Sequence, residues 1–217
     1  MATRQETNGR GRPAPRLYLV TEAAMFSDLA PALTSALAAT DVAAVLLTLG
    51  DADERAKINW IKALAPAIQD RGAALLLDEH PDLVARAGAD GAHLHGIEAL
   101  REALGGLKPD RIAGVGRLAT RHEAMLAAEA GADYVMFGEP TGAQERPGLD
   151  AIRDRIAWWS ELFQVPCVGY AATLEEVGPL AGAGADFIAL AASLWMGALG
   201  ASNVREAHRR LTMKEAV

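Results

Sequence analysis

Apolar and polar residues follow two alternating rhythms along this chain. Eight short apolar runs fall near residues 17–20, 42–47, 73–77, 91–94, 111–115, 133–137, 166–169 and 186–190. Runs of that length, bounded by turn residues, read as buried strands. The segments between them carry helical spacing. Residues 53–70, for example, set Ile58, Ile61, Leu64, Ala65 and Ile68 on one face. Further helices are expected over 28–39 with Ser27 as its cap, over 152–163, and over about 203–213. Thr120 with Glu123, and Thr173 with Glu176, have the spacing of a capping box, in which a hydroxyl and a carboxylate satisfy free helix N–H groups. One of Trp158 and Trp159 is expected to pack on the sheet.

One tetrapeptide punctuates this alternation. Ala-Gly-Ala-Asp occurs at 87–90, 130–133 and 183–186, each copy ending a helical stretch and opening an apolar run. Glycine suits the left-handed position just past a helix because it has no Cβ to clash. Repeated helix-to-strand joins of this kind build a parallel sheet. The reading is a single α/β domain, a (β/α)8 TIM barrel over residues 16–217, behind a polar disordered tail over 1–15. A flat, doubly wound sheet has the same periodicity and stays open as an alternative.

Composition narrows the class. The chain has 217 residues, near the lower end for such barrels. Its 28 acidic and 21 basic residues give a net charge of −7, which argues against a nucleic-acid surface. The single cysteine, Cys167, excludes an intrachain disulfide and fits a reducing, cytoplasmic setting. No apolar run reaches the roughly 20 residues that a membrane span needs, and the arginine-bearing start lacks the apolar core of a signal peptide.

In a parallel barrel the chemistry belongs on the loops that follow the strands. Asp78, Glu79 and Glu98 gather carboxylates there, as Mg²⁺ ligands or as simple helix caps. His93 and His95, two apart on a strand, share a face. With His80 they could hold Zn²⁺, or one could fill a barrel layer while the other borders solvent. Arg117, Arg146, Gly169 and Ser193 follow strands 5 to 8, where barrels place phosphate; the arginines could equally be solvated loop charges. Glu139 ends a buried strand and is placed either to move protons or to precede a proline turn at the surface.

These residues resemble the thiamine phosphate synthase / TenI family over about residues 16–195. The likeness rests on Leu-Tyr-Leu-Val-Thr at 17–21, Ala-Asp-Gly-Ala-His-Leu at 89–94, Ile-Ala-Gly-Val at 112–115 and Glu-Ala-Gly-Ala-Asp-Tyr-Val-Met-Phe-Gly at 129–138. The resemblance implies a barrel that joins a hydroxymethylpyrimidine diphosphate to a thiazole phosphate with Mg²⁺, releasing diphosphate. It implies metal ligands at Glu79 and Glu98, and phosphate contacts at Arg146 and at Gly169. The chain also departs from the family. The diphosphate-gripping Gln-x-Arg-x-Lys pattern after strand 2 falls on Leu46, Thr48 and Gly50, and a serine becomes Gly116, followed by Arg117. The proton-moving histidine of the tautomerase branch becomes Glu139. Three readings follow: a divergent synthase, an isomerase that uses Glu139, or a barrel that binds a thiamine-related ligand or a partner without catalysis. Small phosphorylated molecules are the expected partners, with no nucleic acid or membrane.

Overall fold

The computed structural model describes residues 13–23, 26–141 and 146–212. Most of the expected tail, the Ser27 side chain and the residues after 212 lie outside that description. The strands are β1 (Arg16–Val20), β2 (Val42–Leu47), β3 (Ala74–Asp78), β4 (Gly91–His95), β5 (Ile112–Gly116), β6 (Tyr134–Phe137), β7 (Cys167–Ala171) and β8 (Phe187–Leu190). The helices are α1 (Phe26–Ala39), α2 (Glu54–Gln69), α3 (Val84–Ala87), α4 (Gly96–Leu107), α5 (Arg121–Ala130), α6 (Leu149–Leu162), α7 (Leu174–Ala183), α8 (Ala192–Trp195) and α9 (Gly200–Thr212).

All eight strands are parallel neighbours, and β8 returns to pair with β1 through Leu17 opposite Ile188. That closure removes the doubly wound alternative. Alternate strand residues split into two cores. Leu17, Leu19, Val45, Leu75 and Leu77 face the helices, while Tyr18, Leu46, Leu76, Tyr134, Met136, Val168 and Ala189 pack inside the barrel. Trp159, rather than Trp158, is the fully buried tryptophan; it stacks on Phe163 at 4.1 Å and donates its indole N–H to Val165 O.

The repeated tetrapeptide has a second task besides stopping helices. Its glycines, Gly88, Gly131 and Gly184, take left-handed φ values of 77°, 106° and 107°. Its aspartates reach back to the start of the preceding strand. Asp90 Oδ2 accepts the Leu75 N–H at 2.7 Å, Asp133 Oδ2 the Ala113 N–H at 2.7 Å, and Asp186 Oδ2 the Cys167 N–H at 2.9 Å. These carboxylates therefore satisfy an N–H in the first two residues of β3, β5 and β7, at the entry end of the barrel. The entry end is thereby tied down, leaving the opposite end for the site.

Thr120 and Glu123 form the expected capping box on α5. The second expected box does not form. Thr173 makes no side-chain cap bond to α7, and the Glu176 carboxylate accepts from the Ala172 N–H and from Arg146.

Candidate active site

The strand ends open into a cavity of about 360 Å³. Its lining includes Thr21, Glu22, Leu46, Thr48, Asp78, His93, His95, Arg117, Met136, Glu139, Tyr170 and Ser193. The site begins one layer below, inside the barrel. Gly114 has no Cβ, and the ring of Tyr134 occupies the space a Cβ would fill. Tyr134 Oη is 2.9 Å from Tyr18 Oη and 2.9 Å from His93 Nδ1. The His93 ring, 1% exposed, stacks on Tyr134 and presents Nε2 to Glu139 Oε1 at 3.6 Å. Burial pushes both phenols up, so they remain neutral hydrogen-bond donors at ordinary pH.

Glu139 reaches this point through two glycines. Gly138 turns the chain out of β6 at φ 90°, and Gly116 on β5 leaves room where a Cβ would overlap the Glu139 carboxylate. The side chain is 9% exposed, and its Oε2 is buried without a hydrogen-bond partner. Arg117 Nε lies 3.9 Å from Oε1, with the Arg117 side chain 39% exposed at the mouth.

His95 is set beside its own carboxylates. Its Nε2 meets Asp78 Oδ1 at 3.0 Å and its Nδ1 meets Glu79 Oε1 at 3.0 Å. These are close charge contacts without the alignment of hydrogen bonds, since Asp78 Oδ1 and His95 Nδ1 both remain unpartnered as hydrogen-bonding atoms. Burial works against the charged forms of both groups. The Asp78–His95 interaction outweighs it, holding Asp78 below the usual carboxylate range and His95 above the usual imidazole range. The Thr48 hydroxyl adds a 3.2 Å bond to Asp78 Oδ2. Glu79 and Arg117, on the loops after β3 and β5, are the two non-glycine residues with positive φ among the described residues, at 56° and 52°. Strained backbone of this kind concentrates where loops are aimed for function.

Several expected residues are placed otherwise. Arg146 does not line the cavity: its guanidinium makes four bonds, to Gly138 O (2.5 Å), Tyr170 O (2.7 Å) and both oxygens of Glu176 (2.8 and 2.9 Å). It is a clamp between the β6 and β7 loops, with those donors already committed to protein groups. Gly169 lies inside β7, and a Cβ there would meet Ile156, Leu180 and Ala185, so its side-chain position faces the helix layer and not the cavity. Ser193 does line the cavity. Glu98 is 76% exposed on α4 and pairs with Arg101 at 2.9 Å, whereas Glu79 is turned to His95. The two carboxylates implied for Mg²⁺ thus face different partners and do not form a pair that fits the ion. His80 contacts Lys57 Nζ at 3.4 Å and does not join His93 and His95; Glu139 takes the third place beside them, with one donor atom from each within 4.8 Å of the others. Reasoning from sequence missed Tyr18, Tyr134, Thr21 and Thr48. Inward strand parity marks the tyrosines, but their pairing across the barrel needs the register.

The strand-2 positions complete the picture. Leu46 is buried in the barrel interior, and Thr48 Oγ1 is occupied by Thr21 O at 3.0 Å and by Asp78. Among the described lining residues Arg117 is the one arginine or lysine, against the carboxylates Glu22, Asp78 and Glu139.

A closed eight-stranded parallel barrel with a cavity at its strand ends, lined by polar and apolar side chains, defines a TIM-barrel protein. The family model described as thiamine monophosphate synthase matches residues 17–194. The chain belongs to that family, and its place is in thiamine biosynthesis. A thiamine-phosphate synthase of Rhodospirillum centenum is 43% identical over 185 residues, 83% of this chain and 89% of that protein. One of Hyphomonas neptunium is 34% identical over 197 residues, 85% of this chain and 87% of that protein. The thiamine phosphate pyrophosphorylase of Pyrococcus furiosus superposes with a TM-score of 0.76 at 21% identity, covering 90% of this chain and 95% of that one, which supports the fold. No described helix is long and apolar enough to cross a membrane.

Proposed function

We propose that the protein forms thiamine phosphate. The bond between the pyrimidine methylene carbon and the diphosphate oxygen breaks, a bond from that carbon to the thiazole nitrogen forms, and diphosphate leaves. The observation that carries this reading is the similarity to proteins named thiamine-phosphate synthase along most of the chain. The cavity supports it with apolar walls for two flat rings, at Val20, Leu46 and Met136, and with Arg117 at the mouth, where a charged leaving group would depart. Arg117 would hold the diphosphate oxygens by paired N–H donors, and the Ser193 hydroxyl adds a neutral donor. Mg²⁺ is part of the family resemblance, but Glu79 pairs with His95 and Glu98 with Arg101, so the two do not fit the ion as a pair. The charge balance is then the demand this reading makes: a diphosphate needs more positive charge than Arg117 and His95 supply against three carboxylates.

A second reading is favoured by Glu139 itself. A buried carboxylate with a free oxygen, facing His93 and through it Tyr134 and Tyr18, suits proton transfer on a thiazole phosphate. That substrate carries one phosphate, which a single arginine can meet. The two readings part in one assay. Thiamine phosphate, read as fluorescent thiochrome, is measured from both family substrates with and without Mg²⁺. Product above a protein-free control supports the coupling. A folded protein that gives none, yet exchanges or isomerises the thiazole phosphate in a manner lost in Glu139→Gln, overturns it in favour of the second reading.

A further inference from the structure

We infer that His93, His95 and Glu139 form a binding site for a divalent first-row transition-metal ion of the Zn²⁺ type at the floor of the cavity. The site uses neither of the positions that the resemblance implies for Mg²⁺. Three independent features converge on it.

The donors come from a strand and the loop beside it. His93 and His95 are two apart on β4 and share its inward face, and Glu139 turns in behind β6. One atom from each lies within 4.8 Å of the others. A tetrahedral ion with bonds of about 2.0–2.1 Å sets its donors about 3.3 Å apart, so the site closes when the donors approach one another by up to about 1.5 Å. Glu139 Oε1 already lies 3.6 Å from His93 Nε2, and its carboxylate ends a flexible side chain.

The donors are also prepared. His93 Nδ1 is held by Tyr134 Oη at 2.9 Å, which leaves Nε2 facing Glu139 and the cavity. Asp78 and Glu79 flank the two nitrogens of His95, so whichever nitrogen binds the ion, the other keeps a carboxylate. Carboxylate and hydroxyl partners behind ligating histidines are the usual support of such centres. Finally, Glu139 is 8% exposed, and its Oε2 has no hydrogen-bond partner. A buried carboxylate oxygen left unpaired is costly unless something occupies it.

Two imidazoles and one carboxylate select a borderline ion over Mg²⁺, which prefers oxygen. Three protein ligands leave a coordination position open to the cavity. The ligand class for that position is a phosphate or diphosphate oxygen, which the ion would bind directly beside Arg117.

The test is metal binding, read without turnover. Chelator-treated protein is titrated with Co²⁺, followed by visible absorption, and with Zn²⁺ by calorimetry. The expected result is one ion per chain, with the intense Co²⁺ bands of a four- or five-coordinate site, not displaced by equimolar Mg²⁺. Affinity should fall at least a hundredfold in Glu139→Gln and in His95→Gln, and about 10- to 100-fold in Tyr134→Phe, which removes the hydroxyl that holds His93 and Tyr18 but no ligand atom. Gly116→Ala, which keeps all three donors but displaces the carboxylate, guards against a variant that fails to fold. Absence of binding, or binding that persists in both ligand variants, overturns the inference. Loss of coupling activity with binding intact would reject the proposed reaction and leave this site standing.

Discussion

Gly116→Ala separates a structural from a functional role for the cavity floor with a single methyl group. Gly116 ends β5 and needs no left-handed backbone, so alanine can adopt its conformation. The added Cβ overlaps the carboxylate of Glu139, the movable end of a long side chain, rather than backbone. Alanine lowers the entropy of the unfolded chain, which stabilises by about 0.4–1 kcal/mol. Displacing Glu139 into a less favourable rotamer costs about 0.5–1.5 kcal/mol. Release of its unpaired Oε2 toward solvent offsets part of that cost. The net change should therefore lie within about 1 kcal/mol, or a shift of no more than about 2–4 °C in Tm for a domain of this size. Function should not be spared. Either role for Glu139, proton carrier or metal ligand, fails once the carboxylate moves, and turnover through a misplaced acid–base group should drop about 10²- to 10⁴-fold. Differential scanning calorimetry beside Co²⁺ titration reads both sides. A variant that melts like the wild type and still binds Co²⁺ with unchanged bands would refute the reasoning, because the carboxylate would then not be needed where Gly116 admits it. Gly114→Ala is the contrast: its Cβ meets the packed Tyr134 ring, so overpacking should cost about 1–3 kcal/mol.

Other consequences follow from the same geometry. Arg146→Met should destabilise by about 3 kcal/mol in urea unfolding, since it strands the half-buried Glu176 and two loop carbonyls; a variant as stable as the parent would show that the clamp is idle. Asp133→Ala should cost about 1–3 kcal/mol by the same measurement, because it leaves the Ala113 N–H without its acceptor, and an unchanged midpoint would deny the latching role. Arg117→Gly should raise stability by about 1 kcal/mol by relieving the left-handed backbone while weakening binding of inorganic diphosphate; unaltered diphosphate affinity would remove Arg117 from the site. Glu98→Gln should change stability by less than about 0.5 kcal/mol and leave turnover intact, and a loss of Mg²⁺-dependent activity would return Glu98 to the metal.

Fold and site were legible in the sequence to different depths for a physical reason. The eight strands appear as apolar runs because both faces of a parallel barrel strand are buried, and the Ala-Gly-Ala-Asp copies mark the joins because only glycine takes the left-handed stop cheaply. Both are local properties. The site is not. Position after a strand singles out Arg117, Glu139 and Ser193, and these residues line the cavity. The same rule also points to Arg146 and Glu98, which engage Glu176, 30 residues away, and Arg101, three residues away. Gly169 looked like a phosphate loop because the strand runs two residues further than its apolar core suggested. His-x-His was visible, but its third companion, Glu139, is 44 residues beyond His95 and reaches it only because Gly116 and Gly138 make way.

The two ends of the barrel divide stability from chemistry, and the repeats explain how. At the entry end Asp90, Asp133 and Asp186 each accept an N–H from the first two residues of a strand, so β3, β5 and β7 begin from fixed points. At the exit end the same strands β3 and β5 run into Glu79 and Arg117 in strained conformations, and unpaired polar atoms accumulate at Asp78, His95 and Glu139. Strain and unmet hydrogen-bonding capacity cost free energy and persist only where the surrounding structure holds them. The latches are that support, because a strand anchored at one end cannot slide to relax the other. Loss of the family's strand-2 diphosphate grip therefore does not describe a decayed site: Leu46 and Thr48 are packed and bonded, while the uncompensated groups are gathered on β3, β4 and the loop after β6. The demand for a ligand has moved across the cavity, from the β2 side to the imidazoles of β4 and the carboxylate that faces them.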